Sequence, residues 1–144
     1  MLAVKLISNP AAAAEILTAV PAGKWWRIVA LRFVLTSDAT AGNRFPALTI
    51  DDGTNIIWRA QNAVAQAASL VVDYNFAPNG NPFAAPGASA TTRQHQMPDL
   101  NLGPGSRIRT TLSQLLGVDQ FSSIVIYVDE EGGEREAVDQ PDQA

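Results

Sequence analysis

The chain contains no cysteine and a single histidine, and each shortage closes off chemistry. Without cysteine there is no disulfide framework and no thiolate zinc site, and nothing points to an oxidising compartment. A catalytic imidazole needs a substrate proton or nucleophile on one side and an orienting group on the other. A metal site usually gathers several His, Asp or Glu ligands. His95 sits between Gln94 and Gln96 in an expected strand, and its nearest carboxylate in sequence is Asp99. That even offset places both on one strand face, which is too little for a site, so His95 is read as a surface or hydrogen-bonded side chain.

Long apolar runs are lacking too. The longest candidate is interrupted by Arg27 and Arg32, and MLAVKLISNP shows no basic region followed by a sustained apolar stretch. The expectation is a soluble protein with no secretion signal and no membrane partner. Lysine and arginine are scattered rather than clustered, which argues against nucleic acid, since phosphate neutralisation needs a concentrated basic surface. Asp51, Asp52, Thr54 and Asn55 lack the Asp-x-Asp-x-Asp-Gly spacing and bidentate Glu of a calcium loop. Gly103-Pro104-Gly105 is followed by Ser106 and Arg107, not by Lys-Ser/Thr, so it is a turn and no phosphate loop. No catalytic residue, cofactor or metal is expected, and the chain is read as a non-enzyme.

What is present is strand-forming sequence. The 144 residues, 47% of them hydrophobic, suit one domain with one core. Lys24 to Ala60 reads as three β-strands joined by polar turns. In Trp25 to Thr36 the odd positions (Trp25, Arg27, Val29, Leu31, Phe33, Leu35) are read as the core face. The even face (Trp26, Ile28, Ala30, Arg32, Val34, Thr36) is apolar enough for a neighbouring subunit to cover it.

Arg44 to Ile50 is the next strand, and Asp52-Gly53 marks a tight hairpin returning through Asn55 to Ala60. Leu70, Val72, Tyr74 and Phe76 alternate with Ser69, Val71, Asp73 and Asn75, the pattern of a half-buried strand. Ala77 to Thr92, broken by Pro78, Pro82 and Pro86, reads as an exposed contact loop. Strands are also expected from Glu15, over Arg93 to Leu100 with a break at Pro98, over Ser106 to Leu112, and over Phe121 to Asp129 with Ile124, Ile126 and Val128 on one face. About eight strands at this spacing predict an all-β sandwich.

The two ends differ from the body. Residues 129–144 hold Asp129, Glu130, Glu131, Glu134, Glu136, Asp139 and Asp142 against Arg135. Such an acidic tail is expected to be solvated, or to lie on a basic neighbour. The expected division is an N-terminal arm over 1–14, a sandwich over 15–130 and an acidic tail over 131–144. Met1 to Ser8, apolar yet ahead of any clear strand, is expected to rest on a partner unless it forms an edge strand. Trp25 and Trp26 are adjacent, so unless a bulge intervenes only one enters the core and the other is a contact residue.

The start Gly23-Lys24-Trp25, the triplet Gly42-Asn43-Arg44, Met97-Pro98 before Leu100, Leu102 and Gly103-Pro104-Gly105, and Asp119 before Phe121 form an ordered set. In that order, over about Ala19 to Glu130, the chain resembles the small jelly-roll virion proteins of tailed bacteriophages. The resemblance implies an antiparallel jelly-roll sandwich and a capsid decoration, or cement, protein on the outside of an icosahedral head. It would be assembled in the host cytoplasm and bound as a dimer or trimer across joints between major capsid protein subunits. The partner-binding residues are then expected to be Leu2, Val4, Leu6 and Ile7 of the arm, Trp26 and Arg32 of the even face, Trp58, and Phe83 of the loop. The alternative is a tail-associated jelly-roll module that binds a receptor or carbohydrate, with Trp58 or Trp26 as a stacking platform.

Overall fold

Two β-sheets face each other across one apolar core in the computed structural model, which describes residues 1–78, 92–111 and 113–132. Ten strands are described: β1 (Leu2–Ile7), β2 (Leu17–Ala19), β3 (Lys24–Thr36), β4 (Ala47–Asp51), β5 (Ile56–Gln61), β6 (Val71–Ala77), β7 (Thr92–Gln96), β8 (Asn101–Leu102), β9 (Arg107–Thr111) and β10 (Gln120–Gly132). The larger sheet runs β1-β10-β3-β6-β7 with β8 also on β3, and the smaller runs β2-β9-β4-β5. The pairs nest: β1 with β10, β2 with β9, β3 with β6, β4 with β5.

The all-β reading holds, with corrections. The strand expected over Arg93 to Leu100 stops at Gln96, ahead of Pro98, which cannot donate to a ladder, and the next strand, β8, begins only at Asn101. The sheet is mixed and not wholly antiparallel, since β7 runs parallel to β6. The segment expected as an arm is an edge strand: Leu2–Ile7 pairs with β10 in one unbroken register from Leu2↔Asp129 to Ile7↔Ile124. Its Ala3 and Ile7 pack on the core, and Lys5 lies over the Trp26 ring while binding Glu130. Removing it would strip the sheet of a strand and uncover β10. The tail beyond Gly132 and the loop over 79–91 lie outside the described residues.

The odd-face reading of β3 fails in its first half, for a definable reason. Tyr127 pairs with Ala30 and Val128 with Ile28, so Val29 is an extra residue, a β-bulge. A bulge swaps the faces, so Trp26 and Ile28 point inward with Leu31, Phe33 and Leu35, while Trp25, Arg27 and Val29 point out. A second irregularity sets Ser123 and Ile124 opposite Phe33 alone, with Ser123 at φ 50°, and it keeps Phe121 and Ile124 both in the core. Phe33 is the hub, with ring centroids 5.3 Å from Tyr74, 5.8 Å from Phe76 and 5.3 Å from Phe121.

At one end of the sandwich a polar cluster replaces apolar packing. The Arg44 guanidinium, fully buried, forms a two-point bond to Asp119 at 2.8 and 3.0 Å, and donates to Asp38 at 3.0 Å and to the Gly42 carbonyl at 2.8 Å. Asp119, also buried, accepts from the backbone N–H groups of Asp38 and Leu116. Gly117 must be glycine here: it has φ 54°, and a Cβ would sit 1.8 Å from Asp38 Oδ2. These residues tie the loop after β3 to the turn before β10.

Candidate functional site

In a sheet whose inner face fills the core, the side chains left to meet a partner are those of the outer face and the edges. On the larger sheet the bulge at Val29 decides which residues these are. The outer row of β1 is Leu2, Val4 and Leu6, exposed to 67%, 56% and 77%. Beside it on β10 stand Tyr127 and Val125, in register with Val4 and Leu6. Val29 on β3 continues the apolar exposure, while Val71 on β6, in register with Thr36, is exposed separately beyond the Arg32–Asp73 pair. The row ends in charge: Arg32 forms a two-point bond to Asp73 at 2.7 and 2.8 Å, and Arg27 one to Asp99 at 2.9 and 2.7 Å. The result is an apolar band bounded by paired ions.

The outer face of the smaller sheet has a different chemistry. Asp51, 1% exposed, receives Arg107 at 2.8 Å and Arg109 at 2.7 Å, and two residues back along β4 the Thr49 hydroxyl pairs with that of Thr111 at 2.7 Å. Burial alone would push the Asp51 carboxyl up, yet the two guanidinium groups and the N–H of Gly53 outweigh it and bring it to about 2. Beside it an open hollow of about 500 Å³ is lined by Glu15, Leu17, Arg107, Arg109 and Thr111. Between the sheets the packing leaves only a void of about 10 Å³, among Ile16, Phe33, Leu48, Ile108 and Ile124. That is room for about one water, not for a ligand.

A carboxyl held lower in the folded state than in the unfolded chain adds stability that is complete above its unfolded value. It loses that contribution as pH falls through the folded one. Asp119 follows the same rule: burial would raise it, but Arg44 and the backbone N–H groups of Asp38 and Leu116 hold it below the usual range. Urea midpoints are therefore expected to stay level from neutrality to about pH 5 and to fall between about pH 4 and 2. Asp51→Asn should lower the neutral plateau and flatten the slope in that window. A wild-type slope retained in Asp51→Asn would mean that other carboxyls carry the acid response.

Against this geometry the expected contact residues separate. Leu2, Val4 and Leu6 are exposed together on β1, whereas Ile7 turns inward and packs on the core. Trp26 is a correction: it is 2% exposed, its indole N–H bonded to Glu130 at 2.8 Å. The tryptophan on the outside is Trp25, at 42%, lying over Gly103, where a Cβ would come 3.1 Å from the ring. Arg32 is half-buried and committed to Asp73. Trp58 is half-buried and packs inward on the core from β5. Phe83 lies outside the described residues.

His95 stacks on Phe76 at 4.9 Å and bonds Asn62 at 2.7 Å; burial, with Arg93 adding to it, lowers its basicity. Asp99 serves Arg27, not His95. Sequence reading missed Trp25, Val29 and Val71, all exposed apolar residues of the larger sheet. Only the bulge tells which face Trp25 and Val29 occupy, and period-two alternation does not see a bulge. Among the described residues no three His, Cys, Asp or Glu side chains gather as a metal site would require. Comparison with protein families, with curated proteins and with solved structures finds no match.

Proposed function

We propose that this chain is a bacteriophage head decoration protein that binds the outer capsid surface and stabilises joints between major capsid protein subunits. The observation that carries the reading is the apolar band of Leu2, Val4, Leu6 and Val29 on one open sheet face, a surface suited to covering another protein rather than holding a small ligand. We read the fold as a jelly roll. The nested pairs β1·β10, β2·β9, β3·β6 and β4·β5 are what a long hairpin makes when rolled into two facing sheets, and β7 and β8 are additions at its margin.

The order of motifs that resembles phage virion proteins supports the same reading. Two of those motifs supply Arg44 and Asp119 to one buried ion pair, so they share a physical role in holding the loops. A cement acts by mass action, adding to a capsid's stability in proportion to its preference for the assembled state. It needs area and a stable domain, not chemistry. A carbohydrate-stacking role gains little, since Trp26 is covered and Trp58 turns inward.

The test is reconstitution. Purified protein added to undecorated heads should saturate at a fixed number of copies per head, appear as outer density in cryo-electron images, and raise the temperature at which heads release DNA. Val29→Asp, on the exposed band, should bind several-fold more weakly while unfolding like the wild type. Heads that gain neither density nor heat resistance would overturn the assignment.

A further inference from the structure

We propose that the free edge of β1 pairs antiparallel with β1 of a second copy, about a two-fold axis through Val4, joining two larger sheets into one. The hydrogen-bond phase of the edge is the first ground. Glu130 N–H donates to the Met1 carbonyl at 2.7 Å and Met1 N donates to the Glu130 carbonyl at 2.8 Å, so Met1 and Glu130 form a doubly bonded pair. In an antiparallel ladder such pairs alternate with unbonded ones. With the register constant along β1, Ala3, Lys5 and Ile7 also turn their main-chain groups toward β10, and Leu2, Val4 and Leu6 turn theirs to the open side. These are the residues whose side chains are exposed.

The second ground is that, among the described residues, nothing protects this edge. Natural sheets blunt their edges with proline, bulges or charge. β1 has no proline and no register shift, and its one charge, Lys5, is held inward by Glu130 at 3.1 Å. Among the described residues no strand pairs with its outer side.

The third ground is self-complementarity. Centring the two-fold on Val4 sets Leu2 opposite Leu6 of the second copy, Val4 opposite Val4, and Lys5 opposite Ala3. Each pair of even-numbered residues would exchange two N–H···O bonds. Centring on Lys5 would set two ammonium groups face to face, and centring on Ala3 would leave Leu6 without an opposite residue in the strand. Charge and length therefore select one register. A two-fold through the sheet keeps each face on its own side, so the apolar band of one copy continues into that of the other. A contact confined to six residues buries less than the roughly 1,200–2,000 Å² of a stable complex, so the free dimer should be weak.

Sedimentation of the full chain from micromolar to millimolar concentration should show a monomer–dimer equilibrium. Val4→Lys and Val4→Glu should each shift it several-fold toward monomer, and their equimolar mixture should dimerise again, because opposite charges then meet on the axis. The chain has no cysteine, so Val4→Cys supplies a single thiol. A bonded pair separates its Cα atoms by about 5.5 Å, within disulfide range. Val4→Cys should therefore oxidise to a linked dimer faster than Arg59→Cys on the other sheet. Leu2→Cys should link to Leu6→Cys but not to itself.

A monomer at millimolar concentration, association that Val4→Lys leaves unchanged, or Val4→Cys linking no faster than Arg59→Cys would each overturn the pairing. So would an edge that binds an added extended peptide while the chain stays monomeric. None of these measurements involves a capsid, so the pairing and the decoration reading fail separately.

Discussion

Arg44→Met is expected to lower the unfolding free energy by about 3–5 kcal/mol, because it leaves the Asp119 carboxylate buried with no cation beside it. Both side chains are wholly buried. A domain of this size has about 5–15 kcal/mol in total, so the variant should be largely unfolded on modest warming. Replacing both members of a buried pair by neutral groups usually recovers much of such a loss, yet Asp119 also caps two backbone N–H groups. Arg44→Met with Asp119→Asn should therefore recover part of the stability, and Arg44→Met with Asp119→Leu should recover less. Urea unfolding of the four proteins orders them. If Arg44→Met costs under about 1 kcal/mol, the cluster is looser or wetter than its geometry.

Phe33→Ala should cost a similar amount, about 3–5 kcal/mol, for a different reason. Phe33 touches three aromatic rings drawn from β6 and β10, so its loss opens a cavity that those strands, locked in their ladders, cannot collapse to fill. Phe33→Leu keeps most of the volume and should cost less than half as much. Calorimetric or urea unfolding of the pair separates cavity from chemistry. Equal losses would show that ring stacking, not filled space, is what Phe33 contributes.

Much of the architecture was legible in the residues. Asp-Gly at 52–53 announced the β4–β5 hairpin, and the structure closes it with Asp52 N–H on the Asn55 carbonyl and Gly53 at φ 98°. The alternation of Ile124, Ile126 and Val128 identified the inner face of β10 correctly. What escaped were features whose cause lies far away in sequence. β1 reads as an arm because the strand it pairs with is at the opposite end of the chain, Leu2 against Asp129.

The two tryptophans were assigned the wrong way round because β3 is apolar on both faces. A strand of that kind carries no mark of where Val29 is inserted. The parallel placement of β7 was equally hidden, since direction leaves no trace in a five-residue pattern. Of the candidate surface, Leu2, Val4 and Leu6 were found for their apolar character but for the wrong conformation.

The pairing of β1 with β10 also has a consequence for synthesis. During translation β1 is made first, and the strand it needs is completed only about 120 residues later, at Ile124 to Asp129. For that interval its Leu, Val and Ile side chains and its main-chain groups are open on both sides. In the larger layer the β3 contact with β10 waits in the same way, whereas β3 can pair with β6 and β8, and β6 with β7, before β10 is made. Until β10 is free to pair, the chain is therefore exposed to aggregation through β1. A holding chaperone that covers the first few residues would protect it more than one that acts on the finished domain.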